Sequence, residues 1–287
     1  MTRLDRLLLR IPRLRQIVLD RDSLAAHAAR LQGQLDESLG REEALRRELA
    51  AAEREAAAHA GRLQHASNQS VTERMRADWD VRARTEGTYF IATASEPWTD
   101  ESFFASGEET ASHYIRSDMT NICRGRDPRE MRVLEIGCGA GRITKALARI
   151  FGEVHAVDIS PEMVRLANHH LRETANVQLY VNSGADLKVL PNLPFHFAFS
   201  FIVFQHIPDK GIIENYIREV HRVLAPGALF KLQVEGGDTS NRAASDTWHG
   251  ASFTESEMRA IAERCGFELR YTEGAGTQYF WLWLFKP

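Results

Sequence analysis

Two rhythms of apolar residues divide the chain. From Arg132 onward, Val133–Ile136, Val154–Val157, Val177–Val181, Phe197–Val203 and Ala228–Val234 are short apolar runs, and they predict strands. Between them, Ile143–Ile150, Pro161–Leu171 and Ile212–Leu224 place apolar residues at helical spacing. Strands apolar on both faces that alternate with helices make a parallel sheet covered on both sides. The end of the chain changes character. Thr254 and Glu257 have the spacing of a capping box, and Gly266 stops the helix that follows. Phe267–Thr272 and Gln278–Phe285 then flank a glycine-containing turn, which predicts an antiparallel hairpin.

Ahead of this region the rhythm is heptad-like. Residues 23–66 are rich in Ala, Glu, Arg and Leu and contain no proline. Leu24, Leu31, Ser38, Leu45, Ala52 and His59 share one heptad position; Ala28, Leu35, Glu42, Leu49, Ala56 and Leu63 share the other. That spacing predicts a coiled-coil helix and, through it, a homo-oligomer. Residues 1–22 form a basic, leucine-rich amphipathic segment, a candidate for peripheral membrane contact or for docking on the protein itself. Residues 67–129 bring in Trp79, Tyr89 and Trp98 and a helix expected over Ser106–Cys123; they read as a helical lid or cap ahead of an α/β domain at 130–287.

Composition narrows the function classes. With 287 residues and 44% hydrophobic content, the chain can bury a sizeable core. Lys and Arg total 36 against 39 Asp and Glu, so no nucleic-acid partner is expected. Cys123, Cys138 and Cys265 show neither paired nor zinc-like spacing, which fits reduced thiols and a cytoplasmic location, with no metal site. Arg10 and Pro12 interrupt the first apolar run well short of a signal-peptide core.

The candidate chemistry sits in Val133–Leu147, VLEIGCGAGRITKAL, where Gly137, Gly139 and Gly141 alternate directly after Glu135. Glycine takes positive φ and has no Cβ, so such a loop turns sharply and leaves bare backbone for a ligand. In an open α/β sheet the loop would lie beyond the carboxyl ends of the strands, where nucleotide cofactors bind. A dinucleotide fingerprint would need a glycine at position 142, which is Arg, and a phosphate loop would need a following Lys-Ser/Thr pair. Neither is present.

VLEIGCGAGR followed by VHAVDISPEMVRLA resembles the first two motifs of the class I S-adenosylmethionine-dependent methyltransferases, over roughly residues 130–287. The resemblance implies a Rossmann-like, seven-stranded α/β sandwich, here with an N-terminal helical lid and a coiled-coil arm. It implies S-adenosylmethionine as cofactor: Glu135 and the glycine loop facing the methionine portion, Asp158 accepting from the ribose hydroxyls, Ile159 and Met163 beside adenine, and Asp186 on the adenine amino group. Phe195–Asp209 resembles the fourth strand and loop of small-molecule methyltransferases, with His196 where that family commonly has Asp. His206, beyond this strand, is a candidate base for a substrate hydroxyl, and His249 is a second candidate. Trp79, Tyr89, Trp98 and Trp248 are candidates for a lid over cofactor and acceptor. The expected reaction is O-methylation of a small molecule or glycan. N-methylation is the alternative within the class, a nicotinamide oxidoreductase or a noncatalytic coiled-coil scaffold outside it.

Overall fold

The computed structural model describes residues 71–85, 98–238, 247–248 and 250–287, together with 23–25, 27–36, 38–41, 45–46 and 49. The chain divides into two units, Met1–His65 and Ala66–Pro287. In the first, the described residues are helical, and Leu24, Leu31, Leu35, Leu45 and Leu49 of the heptad seam are exposed, as is Leu39. The expectations for residues 1–22, for the seam beyond Leu49, for Tyr89 and for His249 lie outside the described residues.

The second unit opens with helix α1 (71–85), followed by α2 (Asp100–Tyr114) and α3 (Met119–Cys123). One helix was expected over 106–123, and the chain makes two. Thr99 starts α2 early through a capping box with Ser102. A short 3-10 turn at Arg116–Asp118 then breaks it, because Asp118 is drawn to the sheet: its Oδ2 accepts from Lys231 Nζ at 2.8 Å and from Trp283 Nε1 at 2.6 Å. Lys231 also donates to Tyr114 O at 2.7 Å. Buried charges persist when paired in this way.

The sheet is built from β1 (Arg132–Ile136), β2 (Glu153–Asp158), β3 (Val177–Val181), β4 (Phe195–Ser200), β5 (Leu224–Val234), β6 (Glu268–Glu273) and β7 (Phe280–Phe285). Its order is β3-β2-β1-β4-β5-β7-β6, with β7 antiparallel to β5 and β6 and the other pairs parallel. The connecting helices are α4 (Thr144–Ile150), α5 (Pro161–His170), α6 (Lys210–Val223) and α7 (Glu255–Arg264). Helix α6 starts where Asp209 accepts from Ile212 N, and α7 carries the capping box expected from Thr254 and Glu257.

Two apolar layers hold the sandwich. Ile213, Ile217 and Val220 of α6 and Met258 and Ile261 of α7 pack with Leu134, Phe230 and Leu282 on one face. Ala111 of α2, Ile122 of α3 and Leu147 of α4 pack with Val133, Phe197 and Trp281 on the other. Phe197–Val203 was expected as one strand, but β4 ends at Ser200. Ile202 there has φ +55°, which a β-branched residue adopts only under constraint. The constraint is its N–H donating to Gln233 Oε1 of β5 at 3.0 Å. Because β4 returns on the far side of β1, the carboxyl ends of β1 and β4 bound a crevice at the switch point of the sheet.

Candidate active site

That crevice is a partly open cleft. Its floor is the glycine loop. Gly137 and Cys138 both donate to Val157 O, at 2.8 and 3.1 Å, which folds the loop back over the end of β2. Gly137 has φ +75°, and a Cβ there would collide with the side chain of Val203. Glu135, Gly137, Gly139, Asp158, Ile159 and Met163 all line the cleft, so six of the expected cofactor residues converge. Gly141 does not reach it. It turns the chain at φ +89°, and the space a Cβ would need is filled by Leu171, so its role is packing beneath the loop.

Asp186 does not reach the cleft either. Its carboxylate accepts from Lys188 N at 3.2 Å and pairs with Lys188 Nζ at 3.4 Å. The turn 183–186, in which Ser183 Oγ accepts from Asp186 N, carries the acid away from the cofactor side. Asn182 and Gly184, the residues just after β3, line the cleft instead. Asn182 is buried, and its Nδ2 donates to Tyr216 OH at 2.7 Å.

Two acids are held in unusual states. Glu135 is buried, and burial pushes its carboxyl up to about 7 against the opposing pull of the Thr144 hydroxyl, which donates at 2.6 Å, and of Arg142. Asp158 is pushed up to about 6 by burial, although Ser160 N and Gly139 N each donate to it at 2.9 Å. A positive or hydrogen-donating partner in the cleft would favour the ionised form of either acid.

Helix α1 straps this end of the sheet. Arg76 donates to Ile159 O at 3.3 Å and Asn182 O at 3.1 Å, and Asp80 accepts from Ser160 Oγ and from Glu162 N. The strap sets Met75 and Trp79 against the cleft. Trp79 meets the His206 ring edge-on with centroids 5.3 Å apart, and Trp248 lies 5.1 Å from the same ring. Arg82 stacks over both tryptophans, 4.8 and 5.3 Å from their centroids. Trp98 packs edge-on against Phe103 of α2 at 6.1 Å. His196 is likewise remote, its Nδ1 accepting from Arg132 N at 3.0 Å at the opposite end of β1.

His206 occupies the 3-10 turn Phe204–His206 after β4 and is buried on the cleft wall. Its Nδ1 lies 2.6 Å from Trp248 O. A carbonyl only accepts, so Nδ1 carries a proton, which leaves Nε2 as the ring atom able to accept one. Gln205 Nε2 stands 3.4 Å from that atom, and Gln205 Oε1 accepts from Gln233 Nε2 at 2.9 Å. The glutamine that constrains Ile202 therefore also anchors the neighbour of His206.

Known proteins match this chain in sequence and in fold. The family described as a methyltransferase domain matches residues 133–227. The ubiquinone biosynthesis O-methyltransferase of Xanthomonas axonopodis pv. citri is 28% identical over 201 residues, 64% of this chain and 81% of that relative. The protein of the same name from Xanthomonas campestris pv. campestris is 35% identical over 207 residues, 67% of this chain and 83% of the relative. The chain belongs to the class I S-adenosylmethionine-dependent methyltransferases. This methyltransferase shares its fold with the magnesium protoporphyrin IX methyltransferase of Synechocystis PCC 6803, solved with bound SAH; that chain is 15% identical, with 74% of this chain and 98% of that one covered at a TM-score of 0.55.

The residues present fit S-adenosylmethionine. Asn182 Oδ1 and Arg142 Nε are buried in the cleft lining without a hydrogen-bond partner, an acceptor after β3 and a donor beside the glycine loop. An acceptor next to Ile159 and Gly184 suits the adenine amino group, and Asp158 suits the ribose hydroxyls. S-adenosylmethionine supplies a methyl group on a sulfonium, an activated electrophile that needs no acid to leave. The methyltransferase's own part is to bring donor and acceptor together in a cleft that Met75, Trp79 and His206 line. Asn182 and Arg142 escaped the sequence reading. Arg142 had one available signal, a charge inside an otherwise small and apolar loop; Asn182 had only its place directly after a strand.

Proposed function

We propose that this methyltransferase methylates a hydroxyl oxygen of a small molecule or glycan, with His206 as general base. The observation that carries this reading is the hydrogen bond from His206 Nδ1 to Trp248 O on the cleft wall, which makes Nε2 the proton-accepting nitrogen of the ring, at present 3.4 Å from the Gln205 amide that a substrate hydroxyl would replace. A hydroxyl is a weak nucleophile until its proton has somewhere to go, whereas a neutral amine attacks without a base. An imidazole on this wall therefore favours oxygen. The relatives support the same class, being named ubiquinone biosynthesis O-methyltransferases. The Trp79 and Trp248 rings beside His206 favour an acceptor with a flat or apolar face, which they can cover while excluding water.

The test is incubation with S-adenosylmethionine labelled with carbon-13 at the methyl group, alongside phenols, catechols and hydroxylated sugars. The reading expects label on oxygen, distinguished from nitrogen by its carbon chemical shift. Label on nitrogen or carbon in the preferred acceptor overturns it.

A further inference from the structure

His196 stands at the amino end of β4, away from the cleft, and methyl transfer makes no use of it. There it lines a partly open hollow with Ile122 and Cys123 of α3, Arg124, Arg126 and the first turn of chain into β5, residues 225–228. Strands β1, β4 and β5 run parallel, so this hollow and the glycine loop lie at opposite ends of the sheet. Arg124 is fixed on the rim: its Nη1 donates to Gly227 O at 2.8 Å, and its Cζ lies 5.6 Å from the centroid of the Phe285 ring. One nitrogen of the guanidinium is thereby held while the others stay open. Arg126, which is exposed, makes neither an ion pair nor a side-chain hydrogen bond among the described residues.

His196 adds a third donor. Arg132 N donates to its Nδ1 at 3.0 Å, so that nitrogen carries the lone pair. Burial, helped by the charges of Arg126 and Arg132, draws its pKa below the ordinary 6.5; the ring is neutral at pH 7 and its one proton sits on Nε2. That N–H has no partner among the described residues. Charge balance points the same way. No acid lines the hollow among the described residues. Asp127 is turned to Arg129 N at 2.8 Å, and Glu153 is held by Arg132 at 2.7 Å and by His155 at 2.8 Å. Small-molecule methyltransferases commonly have Asp where this chain has His196, and a carboxylate there would offset the two arginines. The histidine leaves the hollow positive.

We propose that Arg124, Arg126 and His196 form a second binding site, for a phosphate group, at the amino ends of β4 and β5. Guanidinium groups match phosphate oxygens in charge and in geometry, and the imidazole Nε2–H supplies a neutral donor beside them. A carboxylate presents two oxygens, whereas three donor-bearing side chains on one hollow suit the three terminal oxygens of a phosphate monoester. The occupant is distinct from the cofactor and the methyl acceptor, which share the cleft at the other end of the sheet. A soluble phosphorylated molecule and a lipid with a phosphate headgroup present the same group to this hollow.

The experiment is titration of the nitrogen-15-labelled full chain with inorganic phosphate, with S-adenosylhomocysteine at saturation so that phosphate cannot enter the cofactor cleft. The His196 Nε2 resonance, assigned through the ring's contact with the Arg132 amide, should shift and saturate at millimolar phosphate or below. By calorimetry, Arg126→Gln should weaken phosphate about tenfold or more, as expected for a lost charge-assisted bond, and His196→Asp should abolish its binding. Both variants should keep the wild-type affinity for S-adenosylhomocysteine, because Arg126 is exposed and an aspartate at position 196 can still accept from Arg132 N. An unmoved Nε2 resonance, or phosphate bound equally by wild type and both variants, overturns the proposal. If a variant loses S-adenosylhomocysteine affinity through misfolding, the Nε2 titration of the wild type decides alone. Two further arms name the source, and either result upholds the site. Phosphatidylcholine vesicles containing phosphatidic acid that retain wild type and release Arg126→Gln assign a lipid headgroup. Vesicles that treat the two proteins alike, while glycerol 3-phosphate competes with inorganic phosphate, assign a soluble molecule.

Discussion

Glu135→Gln should stabilise the ligand-free protein and weaken the enzyme. The native carboxyl is raised from the ordinary 4.5 to about 7, chiefly by burial, with the Thr144 hydroxyl and Arg142 pulling the other way and Asp158 pushing it up further. The unfolded chain releases this proton near pH 4.5, whereas the native state holds it until about pH 7. Between those values the native state binds more protons, so stability falls as pH rises through the window. At about 1.4 kcal/mol per pH unit of separation, ionised Glu135 costs the folded state about 3 kcal/mol above pH 7. Glutamine carries no charge and keeps an acceptor for Thr144 Oγ1, now 2.6 Å from Oε2. For a domain of this size the gain corresponds to roughly 6–12 °C in Tm at pH 8, shrinking toward zero by pH 4.5. The assay is thermal unfolding of both proteins across that range, with and without S-adenosylhomocysteine. The ligand should stabilise the variant less than the wild type, because a neutral amide replaces an acid that lines the cleft beside the glycine loop. A variant no more stable than wild type at pH 8, or a gain that grows on acidification, would refute the reasoning.

Asp158→Ala should weaken S-adenosylmethionine by about tenfold to a hundredfold, since the ribose hydroxyls lose a charged acceptor; unchanged affinity in a folded variant removes Asp158 from the site. The exposed Leu24, Leu31, Leu35, Leu45 and Leu49 repeat at heptad spacing, and we propose that they pair with a second copy of the chain. Light scattering should then report a dimer for the full chain and a monomer for a version beginning at Ser67, with calorimetry showing cofactor binding in both. A full-length monomer argues against the pairing, and loss of cofactor binding in the shorter version argues against an independent cofactor domain.

The strands and the glycine loop were legible because their causes are local. Val133–Ile136 and Val177–Val181 are apolar runs bounded by turn residues, and Gly137 and Gly139 stand where the backbone turns through positive φ. What the sequence hid depends on contacts far along the chain. Nothing near Ile202 announces that β4 must stop, because the partner that turns it is Gln233. Nothing near Asp118 announces a broken helix, because Lys231 and Trp283 break it. Asp186 looked suitable for the adenine end by residue type, but a two-residue turn to Lys188 takes its carboxylate. Asn182, directly after β3 and braced by Tyr216, lines the cleft instead. Arg142 was counted only as the residue that spoils a dinucleotide fingerprint, and what fixes it on the cleft wall is α2, whose Ser106 lies 36 positions earlier.

The account rests most heavily on His206 as the group that receives the acceptor's proton. Turnover of wild type and His206→Gln, measured with the acceptor found by methyl labelling, tests this directly. With His206 as the base, the variant should be slower by roughly 10²–10⁴-fold and bind S-adenosylmethionine as before. A folded variant with near-normal turnover would contradict it.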